Sequence, residues 1–252
     1  MDYSTRRQMR NPSNKALKAN QVQPLRPDRV RSDPGDLPIP LLQQVTMRFV
    51  NNTESVNMSF AISRIRTNDR NFNAAHAEIS DNSNAALLPA SLWGAFYGLF
   101  GLASNELVVV SVGATENVHT NFSTLNSVAD CKSLQLEATV RPVTEEPVSL
   151  EGLYVFRFFD IAHENVEEIA ELSRVAWESF ENVDAYSAVP QGLFCQADRS
   201  QERGRMLLVT WYDGLNSWQA SRNPAPEARE NFQRRHRLTS GTVAYATRLI
   251  IS

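Results

Sequence analysis

The clearest hydrophobic pattern lies in the second half of the chain. Residues 150–161 are rich in aromatic and β-branched side chains and end at a polar break, which predicts a strand. Apolar and small residues then recur at spacings of three and four, which predicts a helix with one buried stripe. The predicted stripe consists of Val166, Ile169, Ser173, Trp177 and Phe180. Asn165 and Glu168 at its start resemble a capping box.

Two further strands and a broken helix are predicted after this helix. Pro224 and Pro226 interrupt the broken helix, and Pro226 suits the first position of its second part. The predicted ranges are strands at 188–197 and 205–212, helix segments at 215–222 and 227–238, and a closing strand at 242–251. The order is therefore strand, helix, strand, strand, helix, strand.

The first half repeats this order, which indicates an internal duplication. A shift of 94 positions places Phe60 on Tyr154, Ile62 on Phe156, and the tripeptide GLF at 98–100 on GLF at 192–194. We therefore predict an α+β protein with two tandem ferredoxin-like (βαββαβ) modules, at 41–146 and 147–252. Residues 43–50 alternate and predict an additional strand. Two modules that bury their bare sheet faces against each other would form a barrel-like body with a cavity between the sheets.

Charge separates a tail from this body. Residues 1–40 contain eight Arg and Lys against four Asp, together with six prolines, and the remainder has 17 basic residues against 24 acidic ones. The tail is too poor in large apolar residues to offset its ordering entropy, so we predict that it is disordered. It is a solvated tail, or it docks on an acidic partner, on nucleic acid or across a neighbouring protomer. Nucleic-acid binding is not expected of the acidic body.

Several classes of protein are set aside by what the sequence contains. No run approaches the roughly 18 apolar residues of a membrane span, and the first 20 residues have no signal-peptide core, so a cytoplasmic protein is expected. Cys131 and Cys195 are too few for a disulfide framework, and the four histidines are not at metal-ligand spacing. Phosphate-loop, serine-nucleophile and Cys/His motifs are not found.

Five segments of the second half carry a resemblance to a known family. They are GLYVFR at 152–157, AWESF at 176–180, GLF at 192–194, LLVT at 207–210 and TRL at 247–249. In these segments the chain resembles the NIPSNAP family, which belongs to the dimeric α+β barrel superfamily. The resemblance implies a fold, because these are mostly packing residues. The superfamily includes cofactor-free monooxygenases, haem-dependent enzymes, cyclases, isomerases and proteins that only bind, so the resemblance does not imply a reaction.

Strand alternation provides candidates for the cavity. Phe60 and Ile62 share an apolar face, and we assign the opposite faces of the strands, with their polar residues, to the cavity. Arg157 stands among aromatic residues and would need a carboxylate from Glu137 or from a ligand. The predicted ligand-binding residues are Arg157, Ser63, Tyr245, Thr210 and Trp211. The alternative is a structural Arg157–Glu137 pair between the modules.

The predicted catalytic residues are Glu137 and His76. Glu137 is a general-base candidate on the closing strand of the first half, against the alternative of a solvated strand glutamate. His76 lies on an apolar stripe of its predicted helix. It is an internal base, a haem ligand, or a hydrogen-bonded core histidine. His236, in QRRHR at 233–237, is interpreted as part of a basic helix end, with an anion site as the minority hypothesis.

These residues leave three hypotheses for function. The first is an enzyme that acts without metal or nucleotide on a hydrophobic carboxylate or ketone, of the oxygenase, isomerase or cyclase type. The second is a non-enzymatic NIPSNAP-like binding or assembly protein whose basic tail docks on a partner. The third is a haem-binding protein, although no cofactor is predicted from the residues. A hydrophobic small molecule and a homo-oligomeric state are the expected partners.

Overall fold

The computed structural model describes residues 58–81 and 86–251. The predicted tail at 1–40 and the predicted strand at 43–50 lie outside these residues. The strands are β1 (Ser59–Thr67), β2 (Ser91–Phe100), β3 (Glu106–Val112), β4 (Val128–Ala138), β5 (Leu153–Ala162), β6 (Ala188–Gln196), β7 (Arg203–Tyr212) and β8 (Thr239–Leu249). The helices are α1 (Asn73–Ser80), α2 (Val118–Ser123), α3 (Val166–Phe180), α4 (Leu215–Ala220) and α5 (Pro226–Arg237).

The eight strands form one closed antiparallel barrel. Their order around the barrel is β1-β3-β2-β8-β5-β7-β6-β4, and hydrogen bonds between β4 and β1 close it. Each half of the chain supplies four neighbouring strands, in the order fourth, first, third, second. The two halves meet at β2–β8, where Phe96 pairs with Leu249, and at β4–β6, where Leu136 pairs with Gln196. The predicted α+β class and the predicted order of elements are confirmed.

Aromatic side chains from both halves fill the interior of the barrel. The ring of Phe60 on β1 lies 4.9 Å from Phe194 on β6 and 6.1 Å from Trp93 on β2, measured between ring centroids. Near the junction of β2 and β8, Phe96 lies 5.0 Å from Tyr154 and 4.9 Å from Phe156. All six side chains are fully buried. Rings at these distances pack as densely as a protein core, so the interior is a solid apolar centre.

The predicted cavity between the sheets is therefore wrong. Phe60 and Ile62, which the sequence placed away from the cavity, point into the barrel and join its apolar core. Ala61 and Val155, from the opposite faces of β1 and β5, pack beneath the helices instead. Alternation separates the two faces of a strand but does not say which face will be enclosed. The more apolar face turns inward because a closed barrel excludes water and leaves side chains there few polar partners.

Helices cover the outer face of each half. Helices α1 and α2 pack on the strands of the first half, and α3 and α5 pack on those of the second. The predicted stripe of α3 is buried along its whole length, including Ser173. The predicted capping box is wrong, because a 3₁₀ turn at His163–Asn165 leads into α3 and the Asn165 side chain makes no capping hydrogen bond. Pro226 begins α5, as predicted.

The described helices are too short or too polar to span a membrane. Within residues 58–81 and 86–251, no helix has both the length and the apolar character that crossing a bilayer requires. The longest, α3, has 15 residues and bears charged side chains on its outer face.

Replacing Phe194 with alanine is expected to destabilise the fold strongly. The side chain is fully buried between Phe60 and Trp93, and truncating a core phenylalanine costs about 3–5 kcal/mol. Phe100→Ala is the matched control, because Phe100 is 63% exposed and its loss should change the free energy of unfolding by less than about 0.5 kcal/mol. Chemical denaturation of both variants measures the difference. Equal losses would contradict a packed barrel interior.

Candidate functional site

A cavity of about 720 Å³ lies between the sheet of the second half and its helices. Its sheet side is formed by β5 and β7, whose outward-facing residues alternate with those that fill the barrel. On β5 the outward residues are Val155, Arg157 and Phe159, and on β7 they include Thr210 and Tyr212. The helix side comes from α3, α5 and the segment that joins α4 to α5. The broken helix thus opens a space where an unbroken helix would have packed on the sheet.

Aromatic rings form the apolar walls of the cavity. Trp177 and Phe180 reach it from α3, Phe232 from α5 and Phe159 from β5. Phe180 and Phe232 meet edge to face, with centroids 5.5 Å apart. These walls offer flat surfaces to a ring or a hydrocarbon body, as expected of small-molecule sites.

The charges that line the cavity are all positive. The lining contains five arginines and one histidine: Arg157, Arg222, Arg229, Arg235, Arg237 and His236. No aspartate or glutamate is among the described residues that line it. This positive lining contrasts with the net negative charge of residues 41–252, the body in which the cavity lies. An apolar cavity with convergent cations attracts an anion and strengthens its binding, because water competes less there.

Arg235 is the most deeply buried of these cations, with 9% of its surface exposed. Its Nη1 donates a 3.0 Å hydrogen bond to Oγ of Ser173, and that hydroxyl donates to the carbonyl of Ile169 at 2.7 Å. The guanidinium also stands over the rings of Phe232 and Phe159, at 4.8 and 5.2 Å. Burial, with the charge of Arg157, lowers the pKa of Arg235 to about 10. The described contacts that hold this side chain in place are all made with neutral groups.

Arg157 shares the cavity and also lacks a carboxylate. Burial, together with the charge of Arg222, lowers the pKa of Arg157. Within the described chain, neither Arg157 nor Arg235 has a carboxylate oxygen within 4.0 Å. The Glu137 that was expected to pair with Arg157 instead faces Arg199, at 3.4 Å. A buried and a half-buried guanidinium therefore lie in one cavity whose described lining offers no counter-charge.

The hydroxyl of Tyr212 faces the same group of cations. Burial raises the pKa of Tyr212, and the positive charges of Arg157 and Arg222 act in the opposite direction. The phenol therefore stays protonated at neutral pH. It is available to donate a hydrogen bond to an anionic oxygen in the cavity.

Two of the predicted ligand-binding residues, Arg157 and Thr210, line the cavity. The others lie elsewhere. Ser63 is buried on β1, where its hydroxyl is 2.7 Å from that of Ser133. Tyr245 packs against Phe158. Trp211 donates from Nε1 to the carbonyl of Glu151 at 3.0 Å.

The two predicted catalytic residues also lie away from the cavity. Glu137 is half-buried on β4, in register with Cys195 of β6 at the seam between the halves. His76 lies on α1, with Nε2 3.2 Å from the hydroxyl of Ser80, and burial lowers its pKa. The structure does not bring Glu137, His76 and Arg157 together. Among the described residues, no three His, Cys, Asp or Glu side chains are grouped to hold a metal ion.

Sequence reasoning did not single out Arg235, which it treated as one of the cations of a basic helix end, with an anion site there as the minority hypothesis. A signal was present, because Ala228, Phe232 and Arg235 follow at spacings of four and three and so share one helix face. Ala228 is fully buried and Phe232 lines the cavity. A charged residue on such an apolar stripe indicates a functional or paired group. Ser173, on the stripe of α3, is the polar position that meets it.

Comparisons with known proteins show the fold. No family model matches the chain, and no curated protein matches it. Among solved structures, an anthrone oxidase-like protein is 10% identical, with a TM-score of 0.52 over 78% of this chain and 93% of its own. A chlorite dismutase-like protein is 7% identical, with a TM-score of 0.50 over 77% and 95%. A haem-binding protein from Thermus thermophilus is 9% identical, with a TM-score of 0.47 over 77% and 92%. At these identities the likeness shows the fold alone, an α+β fold that the chain shares with the anthrone oxidase-like and chlorite dismutase-like proteins.

Replacing Arg235 with methionine is expected to stabilise the ligand-free protein. A pKa lowered to about 10 corresponds to an unfavourable free energy of about 3 kcal/mol for the charged side chain in the folded state. Methionine keeps the packing against Phe159 and Phe232 and removes the buried charge. Urea denaturation at pH 8 should show a larger free energy of unfolding for Arg235→Met.

The same pair of proteins has an expected pH dependence. Above about pH 10 the folded protein holds fewer protons at Arg235 than the unfolded chain does, so the stability of the parent protein rises relative to the variant. The difference between the two should therefore be full at pH 8 and begin to close as the pH rises through 10. A variant that is less stable at pH 8, or a difference independent of pH, would contradict an uncompensated charge.

Proposed function

We propose that this protein binds a hydrophobic organic anion in the cavity between the second-half sheet and α3 and α5. The observation that supports this most strongly is that buried Arg235 and half-buried Arg157 share one cavity whose described lining has no carboxylate. Burying an unpaired charge costs several kcal/mol. A ligand carboxylate would offset that cost, because it accepts two hydrogen bonds from a guanidinium in a fixed planar geometry.

The rest of the cavity fits the body of such a ligand. Trp177, Phe180 and Phe232 provide apolar contact, and Thr210 and Tyr212 add hydroxyl groups on the sheet side. A ligand that places its anionic group on the arginines would lay its ring or chain against the aromatic walls. The proposed occupant is therefore an aromatic or alicyclic carboxylate, or a ketone that develops negative charge on oxygen.

The finer proposal is that this chain is an enzyme that acts without metal or nucleotide. Two guanidiniums and the protonated phenol of Tyr212 would stabilise an enolate oxygen as it forms, which is the electrostatic part of oxygenase, isomerase and cyclase reactions. His236 is the titratable base candidate that lines the cavity. Glu137 and His76 remain the sequence-based candidates, at a distance from it.

Two structural proposals accompany this function. We propose that the barrel is a tandem of two ferredoxin-like modules, supported by the repeated strand order and by the burial of Phe60 and Tyr154 at equivalent positions. Membership of the NIPSNAP family rests on the sequence resemblance. Homo-oligomerisation, and the non-enzymatic alternative in which the tail docks on a partner, remain predictions.

Haem is the second candidate ligand. The volume of the cavity, the histidine at position 236 and the arginines that could pair with propionates favour it. His236, on the exposed end of α5, would be the side chain available to the iron.

Binding of 2-naphthoate is expected to depend on the two buried arginines. Arg157→Met and Arg235→Met should each weaken binding at least about tenfold, because each removes a charge-assisted hydrogen bond. The uncharged analogue 2-naphthamide should bind much more weakly than 2-naphthoate. Isothermal titration calorimetry measures both comparisons.

Arg174→Met is the matched control for this experiment. It removes an arginine from the outer face of α3, where Arg174 pairs with Glu171 and Glu178 at the surface, and affinity should not change. Equal affinity for the acid and the amide, or equal effects of all three substitutions, would exclude the proposed anion site.

Haem binding has its own test. If haem occupies the cavity, adding it should produce a Soret band that is lost with His236→Ala and retained with His119→Ala, a histidine on α2 of the other half. If haem mixed with the protein has the same spectrum as free haem, this candidate is excluded.

A further inference from the structure

The number of cations that converge in the cavity exceeds what one carboxylate neutralises. Arg157, Arg222 and Arg235 all line it, and the charges of Arg157 and Arg222 reach the hydroxyl of Tyr212. Arg235 interacts electrostatically with Arg157 and Tyr212. These groups thus surround one region, at the sheet side of the cavity. Arg229 and Arg237 are exposed residues that also border the cavity.

From this arrangement we infer that the natural ligand carries a doubly negative head group on an apolar body. This inference rests on the proposed function and specifies its ligand class. The head group is a pair of adjacent carboxylates or a phosphoryl ester. The shared chemistry is two negative charges on oxygens close enough together to meet the guanidiniums of both Arg157 and Arg235.

Charge balance at the buried end supports this inference. A single carboxylate between Arg157 and Arg235 would neutralise one guanidinium and leave the other, buried or half-buried, without a counter-charge. A buried charge without a counter-ion is strongly unfavourable, and removing one partner of a buried pair leaves such a charge. Two negative charges would leave neither guanidinium uncompensated. Arg222, at the exposed surface, keeps a solvent shell and does not require a further anion.

The fixed position of the Arg235 guanidinium supports the inference as well. Arg235 is held by Ser173 and by the rings of Phe159 and Phe232, so it cannot swing out to solvent without losing these contacts. Arg157 projects from the middle of β5, between Val155 and Phe159. The guanidinium of Arg235 is thus presented in advance, and little of its side-chain entropy is lost when an anion binds.

Three ligands with the same naphthalene body test the inference: 2-naphthoate with one charge, naphthalene-2,3-dicarboxylate with two, and 2-naphthyl phosphate with two. Calorimetry at pH 8 and constant ionic strength gives their dissociation constants with the full chain. We expect at least one of the two dianions to bind about tenfold or more tightly than 2-naphthoate, because it engages a second charged donor. The dianion that binds more tightly identifies the head group as a dicarboxylate or a phosphate ester.

The variants make the test specific to the buried pair. In Arg157→Met and in Arg235→Met only one of the two guanidiniums remains. The ratio of the dissociation constant of 2-naphthoate to that of the dianion should therefore fall to near one. Arg174→Met should preserve the full advantage, because Arg174 lies outside the cavity. Circular dichroism and thermal melting confirm that each variant is folded.

The outcomes separate this inference from the proposed function. If 2-naphthoate binds at least as tightly as both dianions, the inference is wrong and the anion site stands. A dianion advantage that persists in both methionine variants also overturns it, because the preference would then come from the general positive potential. If none of the three ligands binds, the proposed function fails and the inference fails with it.

Discussion

The closure of the barrel determines where a cavity is left in this protein. Each strand has two faces, and closing eight strands into one barrel commits one face of every strand to a dry interior. That interior is filled by rings such as Phe60, Phe96 and Phe194. Arg157 on β5 and Thr210 and Tyr212 on β7 are then directed outward, beneath the helices. Arg157 and Tyr212 therefore meet α3 and α5 rather than the other half of the barrel.

The layer between the sheet and the helices accommodates charged and polar side chains that the interior of the barrel does not. It tolerates Arg157, Arg235 and Tyr212 because Ser173 and aromatic rings surround them and because the cavity is open at one side. These groups are unfavourable for folding when the cavity holds no anion. Groups that lower stability at one place in a well-packed fold are typical of binding and catalytic sites. In this chain the rigid barrel offsets the cost of the charged cavity.

Sequence patterns predicted the order of elements because hydrophobic periodicity reports local burial. The stripe of α3 and the broken helix at Pro224 and Pro226 followed from them. Arg157 lines a cavity, but not the predicted one between the sheets. The side of the sheet on which the site lies did not follow. Alternation is symmetrical between the two faces, and closure of the barrel is a property of the whole chain. The sequence assigned Glu137 and Arg157 to the same cavity. The pairing of β4 with β6 instead places Glu137 next to Arg199.

A crystal structure of the full chain with a bound naphthalene carboxylate tests the central claim most directly. The account predicts carboxylate oxygens within hydrogen-bonding distance of the guanidiniums of Arg157 and Arg235, and the ring system against Trp177, Phe180 and Phe232. A ligand seated inside the barrel, or on a surface remote from both arginines, would contradict it.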